Sequence, residues 1–248
     1  MPLFYLPGCK FTKYDPAASN KLAYFCKSCL DAQILGCCSK DFDTPKTGDT
    51  VLYVCPTCAL IMKESNPGVA LKSIYEAILE YDDTLCSSDK LYNTQNKTCI
   101  QWVNIQKKEI TIQDCWRSGK DPALQLAIRK VLSKMNTTIR ELDNNFDKAD
   151  YCGLSLLKEP SPRYEWLAPK LFQDPIFKAH SPEEQIRLLG NHAQQYTTSV
   201  IGCYCTGCIE GIKRVNALFS SDKTSVTATK RFEPIHTASL LAQSIKLS

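Results

Sequence analysis

The stretch Thr50-Val51-Leu52-Tyr53-Val54-Cys55-Pro56-Thr57-Cys58 decides the fold of this 248-residue chain. A run of residues with high β-propensity leads directly into a Cys-x-x-Cys motif, and residues 59–63, which are apolar except for Lys63, then favour a helix. A second stretch has the same plan: residues 197–201 predict a strand, Cys205-Thr206-Gly207-Cys208 follows, and residues 209–218 predict a helix. Strand followed by helix indicates parallel βα units, whose ligands gather at the carboxyl ends of the strands.

Outward from these stretches, the chain shows an internal duplication. An apolar run, Leu3-Phe4-Tyr5-Leu6, precedes Cys9, and a β-branched run, Ile110-Thr111-Ile112, precedes Cys115. Six residues after each of these cysteines comes Asp-Pro-Ala, in which Asp as N-cap and Pro at the first helical position predict a helix start. We therefore predict an α/β fold of two similar, Rossmann-like, cysteine-rich βα halves related by pseudo-symmetry, with the cysteines at the strand ends.

The predicted boundaries follow from this duplication. The first half covers residues 1–81, the polar and poorly periodic residues 82–108 connect the halves, and the second half covers 109–248. The second half contains an insertion at about 154–196 that has no counterpart in the first. Ser181-Pro182-Glu183-Glu184 within it is a capping box, so we predict that the insertion is helical.

The amino-acid composition and charge exclude several classes of protein. The chain is 44% hydrophobic and 23% charged, which is typical of a globular protein that needs no disulfides to hold its core. The net charge of +4, without a Lys/Arg run longer than two, argues against nucleic-acid binding. No apolar run reaches the roughly 18 residues of a membrane span, and the start of the chain lacks a signal-peptide pattern. We expect a cytoplasmic protein, in which paired cysteines indicate metal or redox chemistry.

The duplication sorts nine of the fourteen cysteines into two candidate ligand groups. We call them the first thiol group (Cys9, Cys37, Cys38, Cys55, Cys58) and the second thiol group (Cys115, Cys152, Cys205, Cys208). Each is suited to an iron–sulfur cluster. The Cys37-Cys38 doublet can reach one centre only from a turn, which Gly36 allows. A zinc site of Cys26, Cys29, Cys55 and Cys58 is the alternative, but it leaves Cys9 and the doublet unexplained.

These motifs resemble the cysteine-rich CCG domain family, which includes the catalytic B subunit of heterodisulfide reductase. The resemblance rests on the lone Cys after Pro7-Gly8, the doublet, and the strand-ending Cys-x-x-Cys in two copies, and it covers about residues 1–80 and 109–248. It implies a noncubane [4Fe–4S] cluster on the first thiol group that reduces a disulfide. It also implies electrons from a partner, either a ferredoxin-like iron–sulfur subunit or a flavoprotein subunit.

The chain departs from the family pattern at three places. Ser39 replaces the Gly after the first doublet, the segment from Cys38 to Cys55 is short, and Tyr151 replaces the first Cys of the second doublet. The second thiol group therefore offers four thiolates, for a [4Fe–4S] cluster, a modified noncubane cluster, a zinc ion or no metal. Cys203 is a possible substitute ligand, although Cys205-Thr206-Gly207-Cys208 matches the first motif better.

The remaining candidates have weaker signals. We interpret Cys26, Cys29, Cys86 and Cys99 as free thiols, and His180, His192 and His236 as structural or surface residues. Lys10, Lys40 and Arg117 are either solvated surface residues or cations that offset cluster charge and steer an anionic substrate. The chain has no nucleotide-binding motif, so electrons must come from a partner protein. We predict an iron–sulfur oxidoreductase subunit, with a non-catalytic relay or zinc scaffold as the alternative.

Overall fold

Two four-stranded parallel sheets, one in each half of the chain, form the framework of the protein, as the sequence predicts. The computed structural model describes residues 1–38, 40–87, 98–106, 108–221 and 231–247. The strands of the first sheet, in the order β2-β1-β3-β4, are β1 (Leu3–Leu6), β2 (Gln33–Ile34), β3 (Thr50–Tyr53) and β4 (Ala70–Ser73). Strands β1 and β3 are almost wholly buried, which explains their unbroken apolar sequences.

Helices connect these strands in the alternating manner of a βα fold. They are α1 (Cys9–Tyr14), α2 (Pro16–Leu30), α3 (Pro56–Ser65) and α4 (Ile74–Ser87). The side chain of Asp15 accepts a hydrogen bond from Ala18 N at 3.0 Å, so the predicted cap starts α2. Helix α4 continues past residue 82 into the predicted connection, which also contains the strand β5 (Thr98–Ile100).

The second sheet repeats the first in strand order and direction. Its strands, in the order β7-β6-β8-β9, are β6 (Glu109–Gln113), β7 (Thr138–Arg140), β8 (Val200–Cys203) and β9 (Glu233–His236). Helix α5 (Pro122–Lys134) follows β6 as α2 follows β1, and the side chain of Asp121 caps it by accepting from Leu124 N at 3.1 Å. The pseudo-symmetry predicted from the cysteines and the Asp-Pro-Ala repeats is thus a property of the whole framework.

The strand predicted from Thr197 begins later, at Val200. The hydroxyl of Thr198 accepts from Thr111 N at 3.1 Å and lies 2.8 Å from Val200 O, to which it donates. These side-chain bonds take the place of ladder hydrogen bonds, so the chain joins the sheet only after residue 199.

The predicted insertion is helical. It contains α6 (Gly153–Leu157), α7 (Tyr164–Leu167), α8 (Pro169–Phe172) and α9 (Pro182–Ala193). The Ser181 hydroxyl caps α9 by accepting from Glu184 N at 3.3 Å. The remaining helices are α10 (Thr206–Ser221), which follows β8, and α11 (Thr237–Gln243), which follows β9. Helices α7 and α8 pack against α3, so the insertion of the second half lies on the first half.

The two halves share an extensive boundary. Helix α2 packs against α11, and α4 packs against α5. Strand β5 of the connection pairs antiparallel with the final strand β10 (Ile245–Leu247), so the connection and the second half form a separate two-stranded sheet. The buried hydroxyls of Tyr75 and Thr237 lie 2.7 Å apart across the boundary. Among the described residues, no helix combines the length and the apolar character needed to cross a membrane.

Candidate metal centres

The second thiol group is a buried cluster of four cysteines positioned to bind a metal ion or cluster. The Sγ atoms of its members all lie within 4.8 Å of one another, and all four side chains are buried. Cys115 follows β6, Cys152 precedes α6, and Cys205 and Cys208 lie at the start of α10. Thiolates at the N-terminal end of a 16-residue helix are stabilised by its dipole.

The separations within this group fit a single tetrahedral ion. The Sγ atoms of Cys152 and Cys205 lie 3.9 Å apart. Four thiolates at the zinc–sulfur bond length lie about 3.8 Å from one another in a tetrahedron. A cubane cluster places each thiolate on a different iron and separates the sulfurs by about 6 Å. The cubane therefore requires the four side chains to move outward.

Cys152 ionises more readily than Cys115 or Cys208. Burial opposes the ionisation of Cys152, but hydrogen bonds from Cys115, Cys205 and Cys208 and the charge of Arg117 outweigh it, so its pKa lies well below the ordinary value. Burial raises the pKa of Cys115 and of Cys208. The group thus holds a thiolate at Cys152 beside the thiols of Cys115 and Cys208, and a metal must displace their protons.

Arg117 is buried beside this group, so the expectation that it is a solvated surface residue is wrong. Its side chain is enclosed between the rings of Trp116 and Phe177, whose centroids lie 4.8 and 4.5 Å from Cζ. Nη1 donates to Cys152 Sγ at 2.6 Å, and Nη2 donates to Ser155 Oγ at 2.9 Å. The guanidinium lowers the pKa of Cys152 and so offsets the charge of that thiolate; that it offsets the charge of a bound cluster stays a prediction.

A second network fixes the loop that carries Cys115. The hydroxyl of Tyr204 accepts from Cys115 N at 3.1 Å and donates to Asp114 Oδ1 at 2.8 Å. Asp114 in turn forms an ion pair with Arg129 at 2.7 Å. All three bonds are shielded from solvent by the fold, so the backbone position of Cys115 is set before any metal binds.

Glycines allow the close approach that brings Cys152 to the start of α10. A Cβ atom on Gly153 would lie 2.3 Å from Gly211 Cα, and one on Gly207 would lie 2.5 Å from Leu154 Cβ. Tyr151 occupies the neighbouring space: its hydroxyl would lie 2.2 Å from a Cβ on Gly211, and its ring stacks on His192 at 3.9 Å. Burial raises the pKa of Tyr151 well above its ordinary value, so the phenol is neutral and does not replace a thiolate.

The first thiol group lies at the carboxyl ends of β1 and β3, where four of its members line one cavity. Among the described residues, only the second group places all its sulfurs within 4.8 Å of one another. Cys9 begins α1, and Cys55 is the N-cap residue of α3, with Cys58 in the first turn. Gly8 has a φ of 78°, and a Cβ there would lie 3.2 Å from Cys55 Cβ, so Gly permits the approach of the two segments. The doublet lies in the predicted turn, where Asp41 Oδ2 accepts from Gly36 N at 2.7 Å and from Cys37 N at 2.8 Å.

Hydrogen bonds link the five thiols in two separate sets. Cys9 bonds to Cys37, and Cys58 bonds to both Cys38 and Cys55. The bond from Cys58, together with those from the backbone at residues 57 and 58, lowers the pKa of Cys55 to about 6 despite its burial. Burial raises the pKa of Cys9, which is nevertheless the exposed member of the group. The first group is therefore open to solvent on the side of Cys9.

Both thiol groups line one small cavity. The cavity has a volume of about 40 Å³ and is bounded by Cys9, Cys38, Cys55 and Cys58 from the first half and by Cys205 and Gly207 from the second. The two candidate centres are thus neighbours across the boundary between the halves.

The insertion covers the first group, a contact that the sequence did not indicate. Leu167, Leu171 and Phe177 pack in the same apolar cluster as Cys38, Cys55 and Cys58. Arg163 and Tyr164 line the shared cavity, and Cys37 and Cys38 contribute to a raised pKa of Arg163, after its hydrogen bond with Tyr164. Arg163 is exposed, so it places a positive charge at the solvent side of the first group.

The other predicted candidates lie around these groups. Lys10 lines the shared cavity and pairs with Glu210 at 3.5 Å, whereas Lys40 is exposed and does not line it. Cys203 is buried in β8 and lies outside the second group, which contains Cys205 instead. Cys26 and Cys29 lie on α2, away from the strand ends. Ser39 and the side chains of Cys86 and Cys99 lie outside the described part of the chain.

The histidines have structural contacts. His192 Nε2 lies 2.6 Å from Gln113 Oε1, and burial lowers the His192 pKa to about 4. His236 caps α11 by accepting from Ala238 N at 3.2 Å, and burial lowers its pKa to about 3. His180 lies 2.9 Å from Glu184.

The fold and the site define a class of protein: an α/β chain of two pseudo-symmetric halves that gathers cysteine thiols at the carboxyl ends of parallel strands. No protein-family model matches the chain, and no curated protein matches it. A proposal for the function therefore has to rest on the geometry of the two thiol groups.

Proposed function

We propose that the protein is an iron–sulfur redox subunit that reduces a disulfide, or a similar acceptor, with electrons from a partner. In this proposal the first thiol group holds a noncubane-type [4Fe–4S] cluster, and the second holds a [4Fe–4S] cluster or a single metal ion. The observation that carries the proposal is the shared cavity, which the first group's Cys9, Cys38, Cys55 and Cys58 line together with Cys205. The resemblance of the duplicated cysteine pattern to the CCG family supports the same function.

The donor set of the first group suits a cluster better than a single ion. Its five thiols exceed the four ligands of a tetrahedral zinc site. Hydrogen bonds favour ionisation of Cys55, and the exposure of Cys9 leaves one side of the group accessible. When bound, the cluster would supply one-electron transfer to the acceptor. Two electrons and two protons convert one disulfide into two thiols.

The chain's own residues provide a site for an anionic acceptor beside Cys9. Lys10 and Arg163 both line the shared cavity and both reach solvent, so they attract a carboxylate without being buried themselves. Tyr164 and the apolar side chains of the insertion pack against Cys38, Cys55 and Cys58 and exclude water from that part of the group. Protons for the product thiols can enter from solvent at the exposed mouth. The partner that supplies electrons is a ferredoxin-like iron–sulfur subunit or a flavoprotein subunit.

Anaerobic analysis of iron and acid-labile sulfide tests the cofactor. We expect about four irons or more per chain, with sulfide in similar amount. The reduced protein is then mixed with 2,2′-dithiodiacetate, a dianionic disulfide, and its reoxidation is followed by absorption. Cys37→Ala should abolish disulfide-dependent reoxidation, while Cys29→Ala, a matched change on α2, should preserve it. Zinc without sulfide, or an intact cluster that no disulfide in a panel reoxidises, would contradict the proposal.

A zinc-binding scaffold is the second candidate function, and the geometry of the second thiol group favours it. The 3.9 Å separation of Cys152 Sγ and Cys205 Sγ fits one tetrahedral ion, and complete burial is typical of a closed structural site. This candidate predicts one zinc per chain and no sulfide. It also predicts that Cys152→Ser removes the zinc and lowers the stability, while Cys37→Ala changes neither.

A further inference from the structure

We propose that a second, larger cavity binds a small organic anion with an apolar body. This cavity has a volume of about 700 Å³ and lies between α3, the 3-10 helix at Trp116–Ser118 and α8. Small-molecule sites in proteins typically have volumes of about 300–1,000 Å³. The inference rests on this cavity and goes beyond the proposed function, so it does not depend on which metal the thiol groups hold.

The floor of this anion cavity is apolar. Leu60, Trp116 and Leu171 line it, together with two prolines. Trp116 is half-buried, and its Nε1 donates to Ser155 Oγ at 3.1 Å, which fixes the indole in place. A flat aromatic or aliphatic body can therefore displace water from a preformed surface.

The rim of the anion cavity is cationic. Lys63, Lys120 and Lys170 line it, and all three are exposed. In the part of the chain that the structure describes, none of the three forms an ion pair through its side chain. The two acidic residues that line the cavity accept hydrogen bonds from backbone N–H groups and do not pair with these lysines. Both carboxylate oxygens of Glu64 accept from backbone N–H groups of α8, and Asp174 Oδ1 accepts from Ile176 N at 2.9 Å.

Arg117 is the independent observation that points to an anion. It lines this cavity and its side chain is only 4% exposed. Nη1 and Nη2 bond to Cys152 and Ser155, but the buried Nε has no hydrogen-bond partner among the described residues. Because this Nε is itself inaccessible to solvent, an anion in the cavity would be attracted by the buried positive charge of the guanidinium and not by a hydrogen bond to that atom. The cavity thus combines an apolar floor, a cationic rim and a buried cation in its wall.

Titration calorimetry of the metal-loaded protein with 2-naphthoate and with its neutral isostere 2-naphthamide tests the inference. We expect one naphthoate per chain with a Kd of about 0.1 mM, and naphthamide about tenfold weaker or worse. Lys120→Glu should weaken naphthoate binding about tenfold, since it reverses one charge on the rim. Lys27→Glu is the matched control, because Lys27 is exposed on α2 and does not line the cavity; it should change the Kd less than about twofold.

Three outcomes would overturn the inference: no naphthoate binding, equal affinity for the acid and the amide, or equal effects of the two lysine substitutions. Near-ultraviolet circular dichroism of each variant establishes that the fold is retained, and both lysines are exposed, so loss of folding is not expected. The iron and sulfide analysis of the same samples is a separate measurement, so the failure of the proposed redox function and the failure of this binding site are distinguishable.

Discussion

Replacing Arg117 by methionine should weaken metal binding to the second thiol group while leaving the metal-free protein folded. The guanidinium is buried and donates to Cys152 Sγ at 2.6 Å. When four thiolates bind a divalent ion, the site keeps two negative charges, and Arg117 is the cation in contact with it. Methionine has a similar length and fills the space between Trp116 and Phe177, but it supplies neither charge nor hydrogen bond.

The magnitude follows from the geometry. Two negative charges shared by four sulfurs leave about half a charge on Cys152. A unit positive charge about 4 Å away, at an effective dielectric constant of about 20, stabilises that half charge by about 2 kcal/mol. This is about a 30-fold loss in metal affinity, within the 10- to 100-fold range that is usual when a group bonded to a metal ligand is removed.

Competition with a chromophoric chelator measures the affinity for zinc or cobalt in the wild type and in Arg117→Met. Arg117→Lys is the matched control: it keeps the charge and should lose only a few-fold in affinity. In the metal-free state Arg117→Met leaves the Cys152 thiolate without its cation, so the unfolding midpoint of that form should fall, while near-ultraviolet circular dichroism should show that the fold is retained. Metal affinity within threefold of wild type in Arg117→Met would refute the charge-compensation role.

Three further predictions follow from other features. Gly153→Ala should abolish metal binding at the second thiol group, because the added Cβ would lie 2.3 Å from Gly211 Cα. Gly190→Ala in α9, where the added Cβ has no atom within 4 Å, should leave metal binding intact and raise the free energy of unfolding by up to about 1 kcal/mol in chemical denaturation. Metal retained in both variants would contradict this prediction. The pKa of His236 is about 3 in the folded protein and 6.5 in the unfolded chain, so its stabilising contribution is present above pH 6.5 and is lost as the pH falls. Between pH 7 and 5 the free energy of unfolding should fall by about 2 kcal/mol more in the wild type than in His236→Asn, which keeps the helix cap. Parallel pH profiles for the two proteins would exclude the effect. Arg163→Glu should raise the half-saturating concentration of 2,2′-dithiodiacetate in the reoxidation assay about tenfold, whereas the control Lys27→Glu should raise it less than twofold. An unchanged value in Arg163→Glu would show that Arg163 does not bind the acceptor.

The two-sheet framework could be predicted because the sequence motifs that start its helices and strands are local. The Asp-Pro caps at residues 15 and 121 and the β-rich runs before Cys9, Cys55 and Cys115 each fix one element within a few residues. Parallel strands then place their carboxyl ends at one edge, which brings Cys115, Cys152, Cys205 and Cys208 together as predicted. The duplication made the prediction stronger, since two halves with the same order of motifs have to form the same sheet.

The surroundings of the thiol groups were not predictable, because their contacts join distant parts of the chain. Arg117 lies two residues after Cys115 in sequence, but its side chain packs on Phe177 and donates to Cys152. The insertion has a clear capping box at Ser181, yet that motif says where a helix begins and not which surface it covers. The packing of Gly153 on Gly211 likewise depends on two helices crossing, which neither sequence stretch indicates alone.

The insertion that covers the first thiol group follows it in sequence, so the ribosome makes the five thiols before the residues that cover them. Cys58 completes the five thiols, but Arg163 and Phe177, which lie over them, follow more than a hundred positions later. At a translation rate of about 5–20 residues per second, the five thiols stay uncovered for roughly 5–20 seconds in every new chain. A metal can enter without any opening of the fold during that interval, and oxygen has its easiest access to the same sulfurs. For the proposed function, delivery of metal to the growing chain and protection from oxidants are therefore needed most before the second half has left the ribosome.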